Sequence, residues 1–584
     1  MSVHYGELAL LVLGLYLILQ SIYRLISHPL RHIPGPKLAA ISYFYEFYYN
    51  CVCGGKFLFE IERMHQVYGP IVRINPQEIH ISDPSFYHEI YASSAHHRDK
   101  HAGTVAGLGV PASLVATITH DHHRLRRSLL GSYFSRGSVL KDMVPLVDER
   151  IQKLMNRLRE ACNDQGKVVC LDDAYAGMAS DIIAQYLYGR CWNCLELENF
   201  GNHIRGAILR LLSFVHFTQY APWLVKWLRM LPLDTLRRVQ PGMAAIFDIT
   251  EMADVWNGEL KKEEARKTED VKELPIFHRL ANPNIPAAER TPQRLQDEGI
   301  LLLLAGTDTT AIALTTATFY VFENEQVLQR LRAEVQDAIP TPTSPASVPQ
   351  LEKLPFLTAV IYESLRLSYG PVMRLPRVAP TETLRYEDYT IPPGTPMSSI
   401  SYFIHRDPIL FPEPSTFNPE RWLQDHEQTD HLKRYIVNFS KGSRVCVGMS
   451  LAYAEMYLTI ARLVRCFDIE LHDTTIEDLK IVSEKLLPVT RRGPTRVYAK
   501  MENQRRPHHR SEFEIAVICA LQAESDAVEA AFDTKWEYTF GKAAADPNTY
   551  SMGRIGRHNV VLVFLPSMGK ACAASATARQ SFQL

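Results

Sequence analysis

Hydrophobic residues recur with helical spacing along most of residues 40–500, and short stretches of strand-like alternation interrupt them. The longest apolar helical pattern contains few charges, and the alternation at Leu384–Met397 surrounds a Pro-Pro-Gly turn. This pattern predicts one large, mainly α-helical domain with a small β-sheet region. The principal helical segments that it predicts are Asp297–Asn324, Leu351–Ser368 and Met449–Cys466.

The N-terminus carries an uncharged, mostly aliphatic run from Leu8 to Tyr23. With the residues just after Arg24, the run approaches the roughly 17–25 residues that cross a bilayer. No small-x-small cleavage site follows it, which favours an anchor over a cleaved signal peptide. Basic residues after the run indicate that the downstream chain is cytosolic, and Pro34-Gly35-Pro36 predicts a stiff turn. We expect a single-pass membrane anchor with its flank at residues 1–32.

The character of the chain changes beyond Tyr498, where a polar and basic stretch begins. After that stretch, Phe513–Leu521 is strand-like and Ser525–Phe532 is helix-like, which indicates a separate α/β segment. The expected boundaries are a large domain at residues 33–500, a basic linker at 501–511 and a short α/β fragment at 512–584.

The overall composition is that of a globular protein, with 46% hydrophobic and 22% charged residues. A formal net charge of -1 gives no electrostatic reason to expect a nucleic acid partner. Ten cysteines in 584 residues are too sparse for a disulfide scaffold and suit a reducing compartment. The pairs Cys51/Cys53 and Cys191/Cys194 lack the further ligands of a zinc site, so we expect ordinary thiols there.

The strongest chemical signal is the segment Phe439-Ser-Lys-Gly442-Ser-Arg444-Val-Cys446-Val-Gly448, which directly precedes a helical pattern. Free backbone N–H groups at a helix N-terminus stabilise a cysteine thiolate. Glycine on either side of the cysteine lets the loop approach a flat cofactor closely. Arg444 supplies a cation for a carboxylate on that cofactor.

This segment resembles the haem-binding loop of the cytochrome P-450 superfamily, Phe-x-x-Gly-x-Arg-x-Cys-x-Gly, at all of its diagnostic positions. The resemblance implies the cytochrome P-450 fold and a haem b cofactor, iron protoporphyrin IX. It also implies that Cys446 is the axial ligand of the haem iron. The other residues implied in cofactor binding by this loop are Phe439, Gly442, Arg444 and Gly448.

A polar interruption, Ala305-Gly306-Thr307-Asp308-Thr309-Thr310, lies in the middle of the longest apolar helix. Glycine and threonine cost helix stability there, and a buried aspartate needs a partner or a function. From the residues alone, a satisfied polar kink is the alternative. By resemblance this is the oxygen-activating stretch, in which Asp308 and Thr309 deliver protons. The resemblance also implies a local opening of the helix at Gly306, with room for O₂ and a water.

Two further elements fit the same family. Glu363-Ser-Leu-Arg366 places both charges on one helix face, although such pairs are also common on solvated helices. Phe417-Asn-Pro-Glu-Arg421-Trp422 matches the family's Pro-Glu-Arg-Phe element, with Trp in the last position. The resemblance implies a structural network of Glu363, Arg366 and Arg421 that fixes how this segment holds the haem loop.

The run His123-Arg124-Leu-Arg126-Arg127 opens another helical pattern. Charge patterning alone indicates a basic solvated face, and we expect that position for Arg124 and Arg126. By resemblance, His123 and Arg127 stand where other members carry a Trp and an Arg that bind a haem propionate. Arg377 matches another propionate ligand. The cations expected to neutralise both propionates are Arg127, Arg377 and Arg444.

The resemblance implies a monooxygenase that inserts one oxygen atom from O₂ into a C–H bond or double bond of a hydrophobic substrate. The chain shows no flavin or nicotinamide fingerprint, and the cluster Gly103–Gly109 is a lone glycine-rich loop. Electrons are therefore expected from the NADPH-cytochrome P-450 reductase of the endoplasmic reticulum membrane. Cytochrome b5 is a second candidate donor.

The stretch Arg205–Leu233 is rich in Leu, Phe, Trp and Tyr. Such a stretch is more often core, yet by resemblance it forms the roof of the substrate pocket and a second membrane contact. Val372, Met373 and the loop before the His123 helix stand at positions that line pockets in the family. Their apolar character predicts a hydrophobic substrate that enters from the lipid.

The segments Arg31–Ala40 and Tyr68–Asn75 resemble fungal microsomal members of secondary metabolism, of the trichodiene-oxygenase type. That likeness implies a terpenoid or polyketide-derived substrate. A haem-thiolate isomerase, or a ring-forming oxidase without net oxygen insertion, is the alternative. Isomerases of this kind usually lack the Asp308–Thr309 pair, so the pair argues against that alternative.

The segments Glu512–Glu524 and Gly556–Val563, continuing to Met-Gly569-Lys570, resemble the opening of the nucleoside phosphorylase-like domain of fungal multidomain proteins. Ser567 replaces a glycine that this family usually has before Met-Gly-Lys. The segment reaches Leu584 after about three strands, before the rest of that family's parallel sheet and nucleoside pocket. We expect an inactive fragment, and a bifunctional protein with a nucleoside-binding module is the alternative.

Overall fold

A computed structural model gives the fold of most of the chain, and its described residues fall into two units. The first unit comprises residues 1–465 and 469–501, and the second comprises 466–468 and 502–584. The predicted basic linker lies almost entirely outside the described residues. The described residues are 2–163, 167–221, 276–280, 282–340, 344–502, 513–519, 521–532, 534–536, 549–555 and 558–565, with a few positions between 223 and 238.

The central helix, Pro292–Glu323, organises the first unit because it is apolar on most of its surface and therefore buried. The helix begins with a proline at its first position. The Thr291 hydroxyl caps this end by accepting a hydrogen bond from the Arg294 N–H. The helix packs against Leu171–Tyr188 on one side and Pro355–Ser368 on another. The long apolar helix predicted from the sequence is thus confirmed, with its start five residues earlier than expected.

The other predicted helices are also present. The pattern at Leu351–Ser368 divides into Val348–Leu351 and Pro355–Ser368, because Leu354 precedes a proline and adopts an extended conformation. The ligand helix, Met449–Cys466, follows the cysteine loop as predicted. Further helices of the first unit are Phe57–Tyr68, His120–Gly131, Val144–Asn163, Leu171–Tyr188, Asn202–Leu212, Val215–Tyr220, Glu325–Ala338 and His426–Lys433.

Small sheets flank the helices. The largest is a five-stranded sheet, in which the short strand Asp99–Lys100 pairs antiparallel with Arg377–Val378. The alternation at Leu384–Met397 forms a hairpin and one strand of this sheet, as predicted. In spatial order the strands of this sheet are Ile71–Arg73, Ile79–Ile81, Pro396–Ser398, Arg377–Val378 and Asp99–Lys100. Two smaller sheets have two strands each: Leu384–Tyr386 pairs with Tyr389–Ile391, and Ile481–Lys485 pairs with Leu487–Thr490. Val168–Cys170 pairs with Tyr498–Glu502 and shares a sheet with Asp468–Leu471.

The anchor helix, Ser2–Ile26, exposes its apolar side chains along most of its length. Its Tyr5–Ile26 part is long and apolar enough to cross a membrane. The central helix passes the same test, but it is mostly buried in the protein and is therefore a core helix. After the anchor helix the chain turns at Gly35, where a Cβ would approach the backbone of Arg73 too closely.

The described part of the second unit is a four-stranded sheet with one helix. Strand Ile515–Cys519 and helix Gln522–Ala530 match the predicted α/β start, and the strand pairs parallel with His558–Phe564. Two antiparallel strands, Thr534–Trp536 and Thr549–Ile555, complete the sheet. The Met-Gly569-Lys570 motif lies outside the described residues, so the nucleoside phosphorylase-like assignment stays a prediction.

The Glu363 carboxylate is fully buried and accepts hydrogen bonds from several directions. Arg366 donates to both of its oxygens, at 2.9 and 2.7 Å, and Arg421 Nε lies 3.3 Å from Oε1. The Trp422 indole N–H donates to Oε2 at 3.0 Å, a bond that the Phe of the family pattern lacks. Arg366 also donates to the carbonyl oxygens of residues 405, 414 and 416. The structure therefore brings the three predicted network residues together around one carboxylate.

Replacing Glu363 by Gln should leave the fully buried Arg366 guanidinium without its counter-charge. We expect the free energy of unfolding to fall by about 3–5 kcal/mol, measured by denaturant unfolding of the full chain followed by circular dichroism. Trp422→Phe is the matched control, because the carboxylate keeps its other donors and the loss should be about 1–3 kcal/mol. Equal losses in the two variants would contradict a charge-based network.

Candidate functional site

The cysteine loop is shaped by backbone hydrogen bonds. The Cys446 N–H donates to the Phe439 carbonyl at 2.8 Å, and residues 442–444 form a single 3₁₀ turn between them. Gly442 has φ +71°, and a Cβ there would overlap the carbonyl oxygens of Tyr91 and Ala92. Only glycine fits this turn. No atom lies within 4 Å of a Cβ built on Gly448, so that side of the loop is open to a neighbouring group.

The Cys446 side chain is exposed although protein atoms surround it, as expected for a ligand atom that faces an internal space. Burial raises the pKa of its thiol, while backbone N–H groups of Gly448 and Met449 and the charge of Arg127 oppose that rise. These N–H groups belong to the start of the ligand helix, whose dipole also favours an anion. The loop is thus built to hold a thiolate once a metal replaces the thiol proton.

A group of cations, called here the cation cluster, surrounds His123: Lys100, Arg127, Arg377 and Arg444. Arg127 donates to the carbonyls of Val445 and Cys446, at 2.8 and 3.4 Å, and so ties the cluster to the cysteine loop. Arg444 donates to carbonyls of residues 98, 117 and 118, and Arg377 donates to those of 375 and 376. Within the described part of the chain, no member of the cluster forms an ion pair with a carboxylate.

The cation cluster holds several buried positive charges, and no carboxylate among the described residues is ion-paired with them. Burial and neighbouring positive charges lower the pKa of Arg444 to about 9 and that of His123 to about 2. Burial is also the main cause that lowers the pKa of Lys100, Arg127 and Arg377. The strand register places Lys100 directly opposite Arg377, and like charges in that position destabilise a sheet. A dianionic cofactor edge would remove this repulsion, so the residues fit the two propionates of a haem.

Lys100 is a member of the cluster that the sequence analysis did not find. Its ammonium donates to the Val115 carbonyl, and its side chain lies at the edge of the cavity described below. No local motif marks it, because its position depends on a strand pairing with a residue 277 positions away. In the sequence Lys100 stands in the polar run His96-His-Arg-Asp-Lys-His101, which gives no sign that its side chain is buried.

An apolar cavity of about 230 Å³ lies next to the cluster. Its lining comes from the central helix, the loop before the His120–Gly131 helix, residues 212–218 and the hairpin at 481–490. The lining therefore includes the predicted pocket loop and the described part of the predicted roof, whereas residues 222, 224–226, 228–229 and 233 lie outside the described residues. Met373 lines the cavity as predicted. Val372 instead packs in the core with Phe57 and Ile61.

Thr309 and Ala305 of the central helix face this cavity. The Thr309 hydroxyl donates to the Ala305 carbonyl at 2.7 Å, one turn earlier. The helix is continuous from Pro292 to Glu323, so the expected opening at Gly306 is not present in this structure. Gly306 instead allows close packing, because a Cβ there would lie 3.2 Å from Ile183 of the neighbouring helix.

Asp308 is buried and points to a second charged cluster. Its Oδ1 accepts a hydrogen bond from Arg205 Nε at 2.6 Å, and Arg205 also binds Asp172 and Asp173. Asp308 Oδ2 has no hydrogen-bond partner among the described residues. Burial raises the pKa of Asp172 to about 6 despite the Arg205 charge. No motif in the sequence marks Arg205, Asp172 and Asp173, and their only signal is charge inside apolar helical patterns.

The loop that lines the cavity is fixed to the central helix by two buried carboxylates. Asp297 accepts the Ala112 N–H at 2.7 Å, and Glu298 accepts the Leu114 N–H at 2.8 Å. Arg126 donates to the Ala112 carbonyl and forms an ion pair with Glu289 at 2.7 Å. The expectation that Arg126 is solvated is therefore wrong, because its helix turns that side chain towards the loop. Arg124 is exposed, as predicted.

Comparison with known proteins gives one consistent result. Residues 39–492 match the family Cytochrome P450. The chain is 39% identical over 507 residues to the cytochrome P450 monooxygenase TRI4 of Fusarium sporotrichioides, which covers 87% of this chain and 95% of the relative. It is 41% identical over 488 residues to the cytochrome P450 monooxygenase SAT11 of Stachybotrys chartarum, covering 83% and 92%. It is 43% identical over 465 residues to the conidiogenone synthase PchP450 of Penicillium rubens, covering 78% and 91%.

The matched region contains the cysteine loop, the cation cluster, the central helix and the Glu363 network. The match spans more than half of the chain, and the relatives are covered over nearly their whole length. The geometry agrees with this result, because an accessible thiol, a cluster of unpaired cations and an apolar cavity adjoin one another. This chain belongs to the cytochrome P450 family of haem-thiolate oxidoreductases.

Proposed function

We propose that this enzyme inserts one oxygen atom from O₂ into a C–H bond or double bond of a hydrophobic secondary metabolite, with haem b as its cofactor. The observation that carries the proposal is the cation cluster. Its charges have no ion-paired carboxylate among the described residues, and it joins the Cys446 loop to the apolar cavity. A haem is the cofactor that combines a metal for the thiolate, two carboxylates for the cations and a flat body for the space beside Gly448.

Different residues of the chain would hold different parts of this cofactor. Cys446 would provide the thiolate ligand for the haem iron, and the N–H groups of Gly448 and Met449 would stabilise its charge. Arg127, Arg377 and Arg444 provide donors for the propionates, with Lys100 and His123 between them. When bound, the haem supplies the activation of O₂ at its iron. Phe439 and Gly442 fix the loop through the Phe439 carbonyl and the tight turn.

Proton delivery is the role that we assign to Thr309 and Asp308. Thr309 faces the cavity, where its hydroxyl can pass a proton to a water or to the reacting oxygen. Asp308 lies next to it in sequence, and its unpartnered Oδ2 can bind a water. Arg205 holds the other oxygen of the Asp308 carboxylate, Oδ1, in an ion pair at 2.6 Å and so fixes the orientation of the side chain. Gly306 contributes only by setting the position of the central helix against Ile183.

The substrate class follows from the cavity and the relatives. The cavity side chains are mainly aliphatic, which favours an apolar scaffold. The likeness to fungal P450 enzymes, one of them named a conidiogenone synthase, supports a terpenoid or polyketide-derived substrate in a fungal biosynthetic pathway. The exposed anchor helix supports a single-pass location in the endoplasmic reticulum membrane, with the catalytic domain in the cytosol.

The electron donor in this proposal is the membrane-bound NADPH-cytochrome P-450 reductase, with cytochrome b5 as a second donor. The family needs external electrons, and a shared membrane brings both proteins to one surface. We assign residues 1–32 to the anchor and 33–500 to the haem domain. Residues 501–511 form the basic linker, and 512–584 form a nucleoside phosphorylase-like fragment without activity.

Changing Cys446 to Ser tests the ligand assignment. We expect the reduced wild-type protein with carbon monoxide to absorb as a thiolate-ligated haem, and the variant to lose this spectrum because an alcohol is a poor iron ligand. Cys191→Ser is the matched control and should keep the wild-type spectrum, since Cys191 lies outside the cysteine loop. A wild-type spectrum typical of histidine ligation would refute the assignment.

Thr309→Ala tests proton delivery. The variant should keep consuming electrons but release most of them as hydrogen peroxide, because two protons from water then reach the reduced oxygen without the Thr309 hydroxyl to direct them towards O–O cleavage. Product formation should fall by about 10²-fold or more, measured as the ratio of peroxide to NADPH consumed. Thr316→Ala, which removes a buried hydroxyl from the same helix away from the cavity, is the control. Unchanged coupling in Thr309→Ala would remove that residue from the role.

Lys100→Met tests the cation cluster. We expect the loss of one propionate donor to raise the rate of haem transfer to apomyoglobin by about tenfold. Relief of the repulsion with Arg377 should at the same time stabilise the haem-free protein against denaturant. Lys141→Met is a control outside the cluster. A slower haem transfer, or a less stable haem-free protein, would contradict the proposed charge balance.

A further inference from the structure

A buried ion pair joins two walls of the cavity. His216 lies on the short roof helix, Val215–Tyr220, and Glu484 lies on the hairpin formed by residues 481–490. The His216 Nε2 atom is 3.0 Å from Glu484 Oε1 and 3.0 Å from the Glu484 carbonyl oxygen. Both residues are only 4% exposed. Of the described residues of the roof helix, His216 is the one that forms an ion pair.

The geometry of the pair fixes the position of one proton. Both atoms near Nε2 are acceptors, so Nε2 carries a hydrogen and donates it. Burial opposes the charged imidazole, but the Glu484 charge and hydrogen bonds outweigh burial and raise the pKa of His216. The other ring nitrogen, Nδ1, is buried without a partner among the described residues. Nδ1 therefore lacks a hydrogen bond while the pair is closed. When the pair opens, water can reach Nδ1, and this new hydrogen bond offsets part of the free energy lost with the ion pair.

Both ends of the pair are continuous with residues that line the cavity. Val215 and Thr218 of the roof helix face it, and so do Leu486 and Leu487 of the hairpin. The Glu484 Oε2 atom accepts the Leu486 N–H at 3.2 Å. Leu486 has φ +72°, a left-handed conformation that is unfavourable for leucine. The same carboxylate thus holds the roof helix and the strained turn of the hairpin.

The other described contacts of the roof helix are uncharged, and they include packing against Ala102–Ala106 and Tyr48–Val52. The Thr218 hydroxyl donates to the Gly107 carbonyl at 2.8 Å, and the rings of Tyr220 and Phe47 meet edge to face at 5.3 Å. The roof helix has six residues, too few to be stable alone. Its position therefore depends on contacts with the rest of the fold, of which the ion pair is the charged one among the described residues.

The cavity is small compared with most ligand pockets. Its volume of about 230 Å³ is below the roughly 300–1,000 Å³ of pockets that hold drug-sized ligands. A terpenoid or polyketide-derived substrate of drug-like size would fit only if the roof helix or the hairpin shifted outward. If one of these elements shifts without the other, His216 and Glu484 must separate. If both shift, the two residues must move together.

We propose that the His216–Glu484 ion pair is the contact that closes the substrate cavity, and that its rupture limits how fast bulky ligands enter and leave. His216 and Glu484 are thus positioning residues for substrate selection by size. This inference rests on the proposed haem-thiolate function, because the cavity leads to the haem iron only if haem binds as proposed.

The test uses the haem-loaded full chain and two probes, imidazole and the much bulkier clotrimazole, which both ligate ferric haem. Stopped-flow absorbance measures their association rates with wild type, Glu484→Gln and His216→Gln. We expect both variants to bind clotrimazole about tenfold faster than wild type. Imidazole should bind at an almost unchanged rate, because a small probe does not need the walls to separate.

Arg136→Gln is the matched control, since it breaks an exposed ion pair with Glu352 and neither residue lines the cavity. It should leave both rates unchanged. Hydrogen exchange gives a second readout: amides of residues 212–220 and 481–490 should exchange faster in Glu484→Gln than in the control. This measurement does not depend on any ligand.

The possible results separate the two proposals. A wild-type protein without the thiolate-type carbon monoxide spectrum refutes the proposed function. A normal spectrum with an unchanged ratio of clotrimazole to imidazole rates in both variants overturns the closing role of the ion pair. If neither variant keeps the spectrum, the ion pair is needed for folding and the proposal is also overturned. A selective gain for clotrimazole together with faster exchange supports it.

Discussion

A charge removed from water needs a partner inside the protein, and this fold meets that constraint to three different degrees. Around Glu363 it is met completely, because cations and neutral donors surround one carboxylate. Around Arg205 there are more negative charges than positive ones, since several carboxylates share one guanidinium. Asp308 keeps one oxygen without a partner among the described residues. Around His123 it is not met by the described residues, because cations gather there without a carboxylate.

These differences distinguish charged networks that only stabilise the fold from charged networks that bind other groups. A complete network such as that of Glu363 only holds elements in place, and any added group would disturb it. An incomplete network lowers the stability of the fold unless a group from outside the chain completes it. The charge or hydrogen-bonding group that is missing indicates the chemistry of that partner. At the cation cluster a dianion is lacking, which a haem supplies through its propionates. At Asp308 a hydrogen-bond donor is lacking among the described residues, and in the proposed proton relay a water would supply it.

The same principle extends to the cavity walls. His216 and Glu484 compensate each other's charge but leave His216 Nδ1 without a partner among the described residues. The contact is strong enough to hold a six-residue helix over the cavity and weak enough to open. Substrate selection in this enzyme therefore depends on two properties: the apolar lining, which sets the chemistry, and an ion pair, which sets the size that can pass.

The sequence by itself determined the mainly helical fold, the cysteine loop and the family, because these depend on local patterns and on motifs within one segment. Trp422 could be read as a variant of a motif, but its bond to Glu363 could not. Only the tertiary structure decided that Gly306 packs against a helix and that Arg126 is buried. It also decided the pairs Lys100–Arg377, Arg205–Asp308 and His216–Glu484. Each joins residues over 100 positions apart, and such pairs leave no periodic or local signal because folding alone brings them together.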